Sequence, residues 1–447
     1  MLGMSSAIAF PRRAMRRVWT SKFARNVAVV ASGTAGAQAI TMAFAPFITR
    51  IYGPEAFGLL GTFTAIVGVA APAAALAFPI AIVLPKEDSD ALDLARLSIL
   101  LSFIVALLAA GLIALTSDQL AKSIGAQSVA GLLYLIPLAM IFSAWMQIAQ
   151  QWLTRKTQFG VVARAAVGHS LILNTAKVGI GWVHSGGAVL IMLATLGPAL
   201  HATLLFLGAR RLSRPIKVNS ENGAPEKRST FRQLAYRYRD FPVYRAPQNL
   251  INAASQSLPV LMLATLFGPA QAGFYTLGML VMGAPSSLLG KAVSDVFYPR
   301  ITNAARNGEN LSQHILRSTG VLLGIGIIPF GAVVIFGPDL FKIIFGAQWS
   351  NAGEYARWLA LFFLFNFINK PCVASVPVLG IQRGLLIYEL FSTAGKSLAL
   401  VAGFYWFSSD IWAVALFSIS GVATYAFMML WIYLNARNWS SDAKASR

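Results

Sequence analysis

Three lysines, Lys177, Lys370 and Lys396, lie in the middle of long apolar runs. A charge near the centre of a bilayer costs about 2.5–3.5 kcal/mol on insertion scales, so such residues usually face a bundle interior or a water-filled cavity. All three have the same sign, and no carboxylate lies one helical turn from any of them. Lysine supplies a compact, mobile charge that suits phosphate. The three residues therefore predict a cationic cavity that receives an anion.

A second polar cluster surrounds Pro371. Proline removes a helix hydrogen bond and frees a carbonyl, which membrane helices tolerate beside a cavity or a neighbouring helix. Asn366, Asn369 and Lys370 flank this position, so they form a candidate part of the binding site. The alternative is a kinked helix whose amides only make interhelical hydrogen bonds.

Two amides and one arginine complete the candidate binding residues. Gln38 and Gln256 hold related positions in the two halves of the chain. Amides donate and accept hydrogen bonds, so they suit sugar hydroxyls, although such residues also join helices. Arg50 ends the first apolar run and is either a group at the outer mouth or an ordinary interfacial anchor.

Two carboxylates within apolar runs are candidates for energy coupling. Glu389 and Asp295 could each take up a proton in an antiport cycle, or could pair with a nearby base, Arg383 or Lys291. His169 and His201 could also titrate. A lone histidine, however, is usually only hydrogen-bonded.

Catalytic and metal motifs are missing from the sequence. It has no Gly-rich phosphate loop ending in Lys-Ser/Thr and no His-Glu-x-x-His pattern. Its single cysteine, Cys372, permits no internal disulfide and no cysteine-based metal cluster. We expect no catalytic residues, no metal and no cofactor, and hence no enzyme.

The composition places these residues in a membrane. Of 447 residues, 57% are hydrophobic and 12% are charged, whereas soluble proteins carry about 25% charged residues. The predicted fold is an all-α polytopic membrane protein with about twelve transmembrane helices. The predicted cores are 27–48, 57–84, 97–115, 130–152, 166–184, 187–207, 250–267, 274–296, 319–337, 356–379, 385–407 and 411–434.

The basic residues predict the orientation and explain the net charge of +20. With a cytoplasmic N-terminus, 28 of the 36 Lys and Arg residues fall in cytoplasmic segments and four in the opposite loops. This bias follows the positive-inside rule, so both termini are predicted to be cytoplasmic. The charge then reflects topology, and no nucleic-acid partner is expected.

The chain divides at a long basic segment. The predicted units are a basic cytoplasmic tail (1–26), an N-lobe of six spans (27–207), a cytoplasmic linker (208–249), a C-lobe of six spans (250–434) and a cytoplasmic tail (435–447). The two lobes share an echo, because Tyr52–Gly58 and Phe267–Gly273 read alike and each following helix carries a proline, Pro72 or Pro285. Six spans per half make a parallel repeat, so two pseudo-symmetric six-helix bundles around a central cavity are expected.

At four segments the sequence resembles bacterial polysaccharide repeat-unit flippases, the Wzx-type branch of the multidrug/oligosaccharidyl-lipid/polysaccharide exporter superfamily. These segments are Gly36–Ile40, Pro46–Arg50, Ile51–Gly58 and Ala81–Ala91. The resemblance implies alternating access and a cargo of polyprenyl-pyrophosphate-linked oligosaccharide. Such a transporter turns that cargo from the cytoplasmic to the outer leaflet of the bacterial inner membrane. The transferred unit serves the synthesis of lipopolysaccharide (as O-antigen), capsule or exopolysaccharide. The implied partners are this substrate and the bilayer, with a polysaccharide polymerase and other assembly proteins as candidates.

Three alternatives remain open at this stage. A peptidoglycan-precursor flippase shares the anionic cargo but often has fourteen spans. A multidrug/cation antiporter of the same superfamily would favour buried carboxylates over buried lysines. A membrane polysaccharide polymerase would need a sizeable outer loop with ionisable groups, and the predicted outer loops are short, the longest being 338–355 and 116–129.

Overall fold

A computed structural model describes residues 22–123, 127–212 and 231–445 of the chain. Most of the predicted N-terminal tail and the middle of the predicted linker lie outside this part. Helices account for nearly all of the described residues, as the apolar runs predicted. The α-helices are α1 (Lys22–Ile51), α2 (Pro54–Ala74), α3 (Phe78–Ala81), α4 (Asp88–Ser123), α5 (Leu135–Arg155), α6 (Phe159–Gly181), α7 (Gly187–Leu212), α8 (Phe231–Arg237), α9 (Ala246–Phe267), α10 (Pro269–Arg306), α11 (Leu311–Phe345), α12 (Ser350–Ile368), α13 (Lys370–Leu379), α14 (Gln382–Phe407) and α15 (Asp410–Ala445). Short 3₁₀ turns occur at Gln127–Tyr134 and Ala347–Trp349, and a π turn at Phe241–Arg245.

Twelve of the described helical segments are long enough to cross a bilayer, counting α12 and α13 as one. Nine of them also contain an 18-residue stretch that is apolar enough to cross a membrane. The three others are α6, α10 and α14, and each carries a charged residue in its interior: Lys177, Lys291 and Lys396. The prediction of about twelve transmembrane helices thus stands beside nine spans, in the described part of the chain, that reach this hydropathy, and Lys370 lies within one of the nine.

One helix that was expected to be continuous is interrupted, and a second is interrupted near the proline where a break or kink was expected. The predicted span 57–84 breaks after α2, because Leu76 and Ala77 adopt positive φ angles of 48° and 60° before α3 begins. Proline at position 72 of α2 lacks the N–H that would have bonded to the preceding turn. Near Pro371, the helix is interrupted at Asn369, between α12 and α13.

Helices α1 to α7 pack into one bundle, here called the N-lobe. Within it α1 packs along α6, α5 along α7, and α4 along α5. Helices α9 to α15 form the C-lobe, in which α11 packs on α12 and α14 on α15. The end of the predicted linker is helical. There α8 places the fully buried Leu234 in a cluster with Leu94 and Ile148 of the N-lobe.

The two lobes meet where the two echoed turns were found. Helix α2 of the N-lobe packs against α9 and α10 of the C-lobe. A Cβ atom on Gly58 would lie 1.7 Å from the carbonyl oxygen of Pro269, and one on Gly273 would lie 1.9 Å from that of Pro54. Only glycine permits such a close approach of two backbones. The sequence echo therefore corresponds to a reciprocal contact between equivalent positions of the lobes.

A hydrogen-bonded seal lies beside this contact. The carbonyl oxygen of Thr49 accepts hydrogen bonds from Gln348 Nε2 (2.9 Å) and Trp349 Nε1 (2.8 Å). Trp349 is fully buried, and its ring contacts Phe57 of the N-lobe and Phe274 of the C-lobe at centroid distances of 5.0 and 6.1 Å. Below, "the seal" means these five residues.

Candidate substrate-binding site

A polar cavity of about 350 Å³ lies within the N-lobe, between α1, α5, α6 and α7. Helix α6 contributes Lys177 and most of the polar wall, because positions spaced three and four apart share one helix face. The polar lining residues are Thr34, Gln38, Thr41, Gln150, His169, Ser170, Asn174, Lys177 and His201. Two of the predicted binding residues, Gln38 and Lys177, therefore line one cavity.

Hydrogen bonds hold the two principal walls of this cavity together. Ser170 Oγ on α6 donates to the carbonyl oxygen of Ala37 on α1 at 2.8 Å and lies 3.0 Å from Thr41 Oγ1. Asn174 Nδ2 donates to the Ser170 carbonyl at 2.7 Å, and a second contact reaches Thr41 Oγ1 at 3.3 Å. Because these two hydrogen bonds are made by the amide nitrogen of Asn174, its Oδ1 points away from the hydrogen bonds that join α1 and α6.

The backbone of Lys177 is held beside the C-terminal end of α1. The buried Tyr52 hydroxyl donates to the Lys177 carbonyl at 2.9 Å. A Cβ on Gly181, one helical turn later, would lie 2.6 Å from the same hydroxyl, so this glycine lets α6 approach the end of α1. Among the described residues, no carboxylate oxygen lies within 4.0 Å of the Lys177 ammonium. Its charge is thus available to a ligand.

Two histidines that the sequence offered singly form a pair. The rings of His169 on α6 and His201 on α7 stack with a centroid distance of 4.8 Å and an interplanar angle of 14°. The turn Ser185-Gly186-Gly187 lies about midway between them along the chain, so an antiparallel helix pair brings them to similar depth. That spacing was the signal that could have linked them.

The C-lobe candidates Asn366 and Asn369 are engaged within their own lobe. Asn366 Nδ2 donates to the Tyr425 hydroxyl, and Asn366 Oδ1 accepts from Ser286 Oγ at 3.2 Å. Asn369 is buried and its Nδ2 lies 3.4 Å from Met428 Sδ. These contacts join α10, α12 and α15, as expected of amides that link helices.

The other two interior lysines also belong to the C-lobe. The Lys370 side chain lies along α10, with its Cε 2.8 Å from the place a Cβ on Gly290 would occupy. The Lys396 ammonium lies 5.8 Å from the centroid of the Phe362 ring, within range of a cation–π interaction. Lys177 is therefore in one lobe and Lys370 and Lys396 in the other, and a common cavity for all three stays a prediction.

The remaining candidates lie in different surroundings. Gln256 is exposed and donates to Asn252 Oδ1 at 2.7 Å, so it does not line the cavity that contains Gln38. Arg50 donates to the carbonyl oxygens of Ile343 and Ile344 at the end of α11, across the interface between the lobes. Glu389 is exposed on α14, and the side chain of Asp295 lies outside the described part of the chain.

A separate cavity of about 260 Å³ lies between the lobes. Gln38, Thr41 and Met42 of α1 form one wall, and α10 forms the other with Met279, Leu280, Gly283 and Ala284. Gln38 is thus shared by the N-lobe cavity and the cavity between the lobes. In the described part of the chain, no group of His, Cys, Asp and Glu residues has the arrangement of a metal site.

A family model for polysaccharide biosynthesis proteins matches residues 47–354, about two thirds of the chain. The chain belongs to this family. Two curated relatives are similar to this polysaccharide biosynthesis protein. One is the succinoglycan biosynthesis transport protein ExoT of Rhizobium meliloti (strain 1021), 24% identical over 80% of this chain and 68% of the relative. The other is the lipopolysaccharide biosynthesis protein WzxC of Escherichia coli (strain K12), 23% identical over 29% of this chain and 27% of the relative.

The fold of this family member is shared with a solved transporter structure. The lipid II flippase MurJ, in its inward closed conformation, aligns with a TM-score of 0.67 at 12% identity, over 93% of this chain and 90% of that one. The alignment spans both lobes, so the predicted class of an all-helical, multi-pass transporter fold is confirmed.

Proposed function

We propose that this protein flips polyprenyl-pyrophosphate-linked oligosaccharide repeat units from the cytoplasmic to the outer leaflet. The observation that carries the proposal is Lys177, a cation inside the membrane bundle that lines a polar cavity and has no described carboxylate partner. A buried charge without a partner is strongly disfavoured unless a ligand or water compensates it. A pyrophosphate linker supplies that compensation.

The state of the molecule fits an early step of such a cycle. The seal closes the lobes at the end of α1, which is the outer end if the N-terminus is cytoplasmic. We infer that the described state is closed towards the outer face and that the cargo enters from the cytoplasmic face. The proposed location is the bacterial inner membrane, with both termini on the cytoplasmic side. The domain boundaries that the sequence predicted remain part of this proposal.

The family relatives support a polysaccharide cargo. ExoT is described as a succinoglycan transport protein and WzxC as a lipopolysaccharide biosynthesis protein. A polymerase and other assembly proteins would act on the unit after transfer, since a flipped repeat unit must be joined to a growing chain. MurJ is a lipid II flippase, so a peptidoglycan-precursor flippase is the second candidate function.

Cation export is less well supported by the cavity. A cavity for cationic drugs would favour a carboxylate, and the described lining residues of the N-lobe cavity include Lys177 and no Asp or Glu. For coupling, Glu389 and Asp295 remain candidates from the sequence.

The proposal is tested with the full-length protein in proteoliposomes that contain a fluorescent polyprenyl-pyrophosphate oligosaccharide. Chemical quenching of the outer leaflet reports the fraction of lipid that has been flipped. Lys177→Ala should slow flipping by about tenfold or more, because a charge-assisted contact to phosphate contributes about 1.5–3 kcal/mol. The matched control is Lys342→Ala, which removes an exposed lysine from the end of α11.

Two results would contradict the proposal. One is that wild-type protein, the Lys177→Ala variant and empty liposomes all flip the labelled lipid at the same rate. The other comes from cells that lack the protein: repeat units that accumulate unpolymerised on the outer leaflet would instead support a polymerase.

A further inference from the structure

The N-lobe cavity contains four buried polar atoms without a hydrogen-bond partner. They are Gln38 Oε1, Asn174 Oδ1, His169 Nε2 and His201 Nε2. Unpaired buried polar atoms are rare in folded proteins, because each one loses its hydration without compensation. Here all four belong to residues that line one cavity together with the Lys177 ammonium. Their concentration at one place indicates that a ligand satisfies them.

The chemistry of these atoms restricts the ligand. The two amide oxygens can only accept hydrogen bonds, and the Lys177 ammonium can only donate them. The orientation of Asn174 is fixed, since its Nδ2 donates to the Ser170 carbonyl. A fully ionised phosphate offers acceptors alone and would leave both amide oxygens unpaired. A cation would be repelled by Lys177.

A hydroxyl-rich ring meets all of these requirements. Each hydroxyl both donates and accepts, so it can bond to an amide oxygen and to an ammonium or imidazole N–H at once. The volume of about 350 Å³ is near the lower end of the range for small-molecule pockets, about 300–1,000 Å³. It is therefore suited to one ring rather than to a whole oligosaccharide.

The N-lobe cavity also borders the cavity between the lobes. Gln38 lines both the N-lobe cavity and the cavity formed with Met279 and Gly283 of α10. Gln38 and Thr41 are therefore the lining residues that the two cavities share.

We propose that the N-lobe cavity is a subsite for a single sugar ring of the transported oligosaccharide, with Gln38, Asn174, His169 and His201 as its hydroxyl partners. The identification of the ring with the cargo depends on the proposed function. The hydroxyl-binding site itself depends only on the cavity.

The experiment uses the full-length protein in nanodiscs of phosphatidylethanolamine and phosphatidylglycerol. D-glucose, D-galactose and D-mannose are the probes, and saturation-transfer difference NMR measures their binding. We expect at least one sugar to bind, and its signal to fall by about fivefold in Gln38→Leu and Asn174→Leu, since each substitution removes a hydrogen-bond acceptor. The control Asn435→Leu should bind as wild type, because that amide donates to the Trp431 carbonyl of its own helix in the C-lobe.

Each outcome decides for or against the subsite. Asn174→Leu also removes part of the bracing between α1 and α6, whereas the described hydrogen bonds include none from the Gln38 side chain. Gln38→Leu therefore keeps the test valid if Asn174→Leu does not fold. Equal sugar signals in wild type and Gln38→Leu overturn the proposal. So does displacement of the sugar by inorganic pyrophosphate that persists in Lys177→Ala, which would make the cavity an anion site even without Lys177. The absence of binding by all three sugars also overturns it, and would leave a water-filled cavity.

The failure of this inference differs from that of the proposed function. Sugar binding that depends on Gln38, without flipping in proteoliposomes, would retain the subsite and reject the flippase. Flipping that depends on Lys177, without sugar binding, would retain the flippase and reject the subsite.

Discussion

Gly58 and Gly273 occupy equivalent positions in the two lobes, and each packs against the carbonyl oxygen of the proline that begins the other's helix. The two contacts are related by exchange of the lobes. They bring α2 and α10 together at the end of the molecule where the seal lies. The closed state therefore depends on backbone contacts as well as on side chains.

Gly58→Ala should separate the lobes at this end. The added Cβ would lie 1.7 Å from the Pro269 oxygen, which is backbone and cannot rotate away. We expect a lower melting temperature and a longer distance between spin labels placed on α2 and α10, measured by pulsed electron paramagnetic resonance. Gly53→Ala is the matched control, because its Cβ would meet no atom within 4 Å. If both alanine variants behave alike, the contact does not hold the lobes together.

Trp349 should contribute to the closed state mainly through its ring. Trp349→Ala removes a fully buried side chain between the lobes and should reduce the free energy of unfolding by about 3–5 kcal/mol. Trp349→Phe keeps most of the packing but loses the hydrogen bond to Thr49, for a loss of about 1 kcal/mol. Denaturant unfolding in detergent measures both. Trp406→Ala, which truncates an exposed tryptophan, serves as the control, and an equal loss in the Ala and Phe variants would contradict the ranking.

Ala77 lies in the left-handed region, with φ 60°, at the break between α2 and α3. For a residue with a side chain this conformation costs roughly 1–2 kcal/mol. Ala77→Gly should therefore leave the free energy of unfolding unchanged or higher, although glycine also gains entropy in the unfolded chain. The helical Ala74→Gly should instead lower it by about 1 kcal/mol. Thermal unfolding of the two variants compares them directly, and an equal loss in both would show that Ala77 is not strained.

Glu309, between α10 and α11, should give the stability a small pH dependence. Hydrogen bonds from Asn307 Nδ2 (3.2 Å) and His314 Nε2 (2.7 Å) lower the pKa of this exposed carboxyl from its ordinary value. A lowered pKa contributes stability above the ordinary value near 4.5, and that stability is lost as the pH falls through the lowered value.

Replacing Glu309 with glutamine should therefore lower the melting temperature slightly at neutral pH. The difference from wild type should shrink as the pH falls below 4.5, the ordinary pKa of this carboxyl. Melting curves between neutral and acidic pH measure this, and a difference that grows on acidification would have the wrong sign.

Much of the fold follows from the sequence, because it depends on local patterns. Apolar runs predicted the twelve long helices, and the echo of Pro54–Gly58 in Pro269–Gly273 predicted the duplication that the reciprocal glycine contact reflects. The break at Leu76 and Ala77 was missed, since neither residue type favours positive φ. It depends on packing, which places Phe78 in a buried cluster with Leu94 and Ile148 and packs Leu76 against that cluster.

The site was predicted less completely. Lys177 and Gln38 could be singled out because a charge or an amide is unusual in an apolar run. The pairing of His169 with His201 depends on how α6 and α7 align, and the only sequence signal for it was the turn about midway between the two residues. The engagement of Asn366 by Tyr425 and Ser286 likewise depends on three helices meeting at one depth.

The glycine contacts also limit how this chain can evolve. When two side chains collide, a smaller residue on the opposite side can restore the fit. Gly58 and Gly273 instead face carbonyl oxygens, which every amino acid carries, so no substitution at Pro269 or Pro54 removes the obstacle. Neither glycine can be rescued by a change in the residue that it faces. The two lobes can therefore diverge almost everywhere else while these two positions stay fixed in both copies.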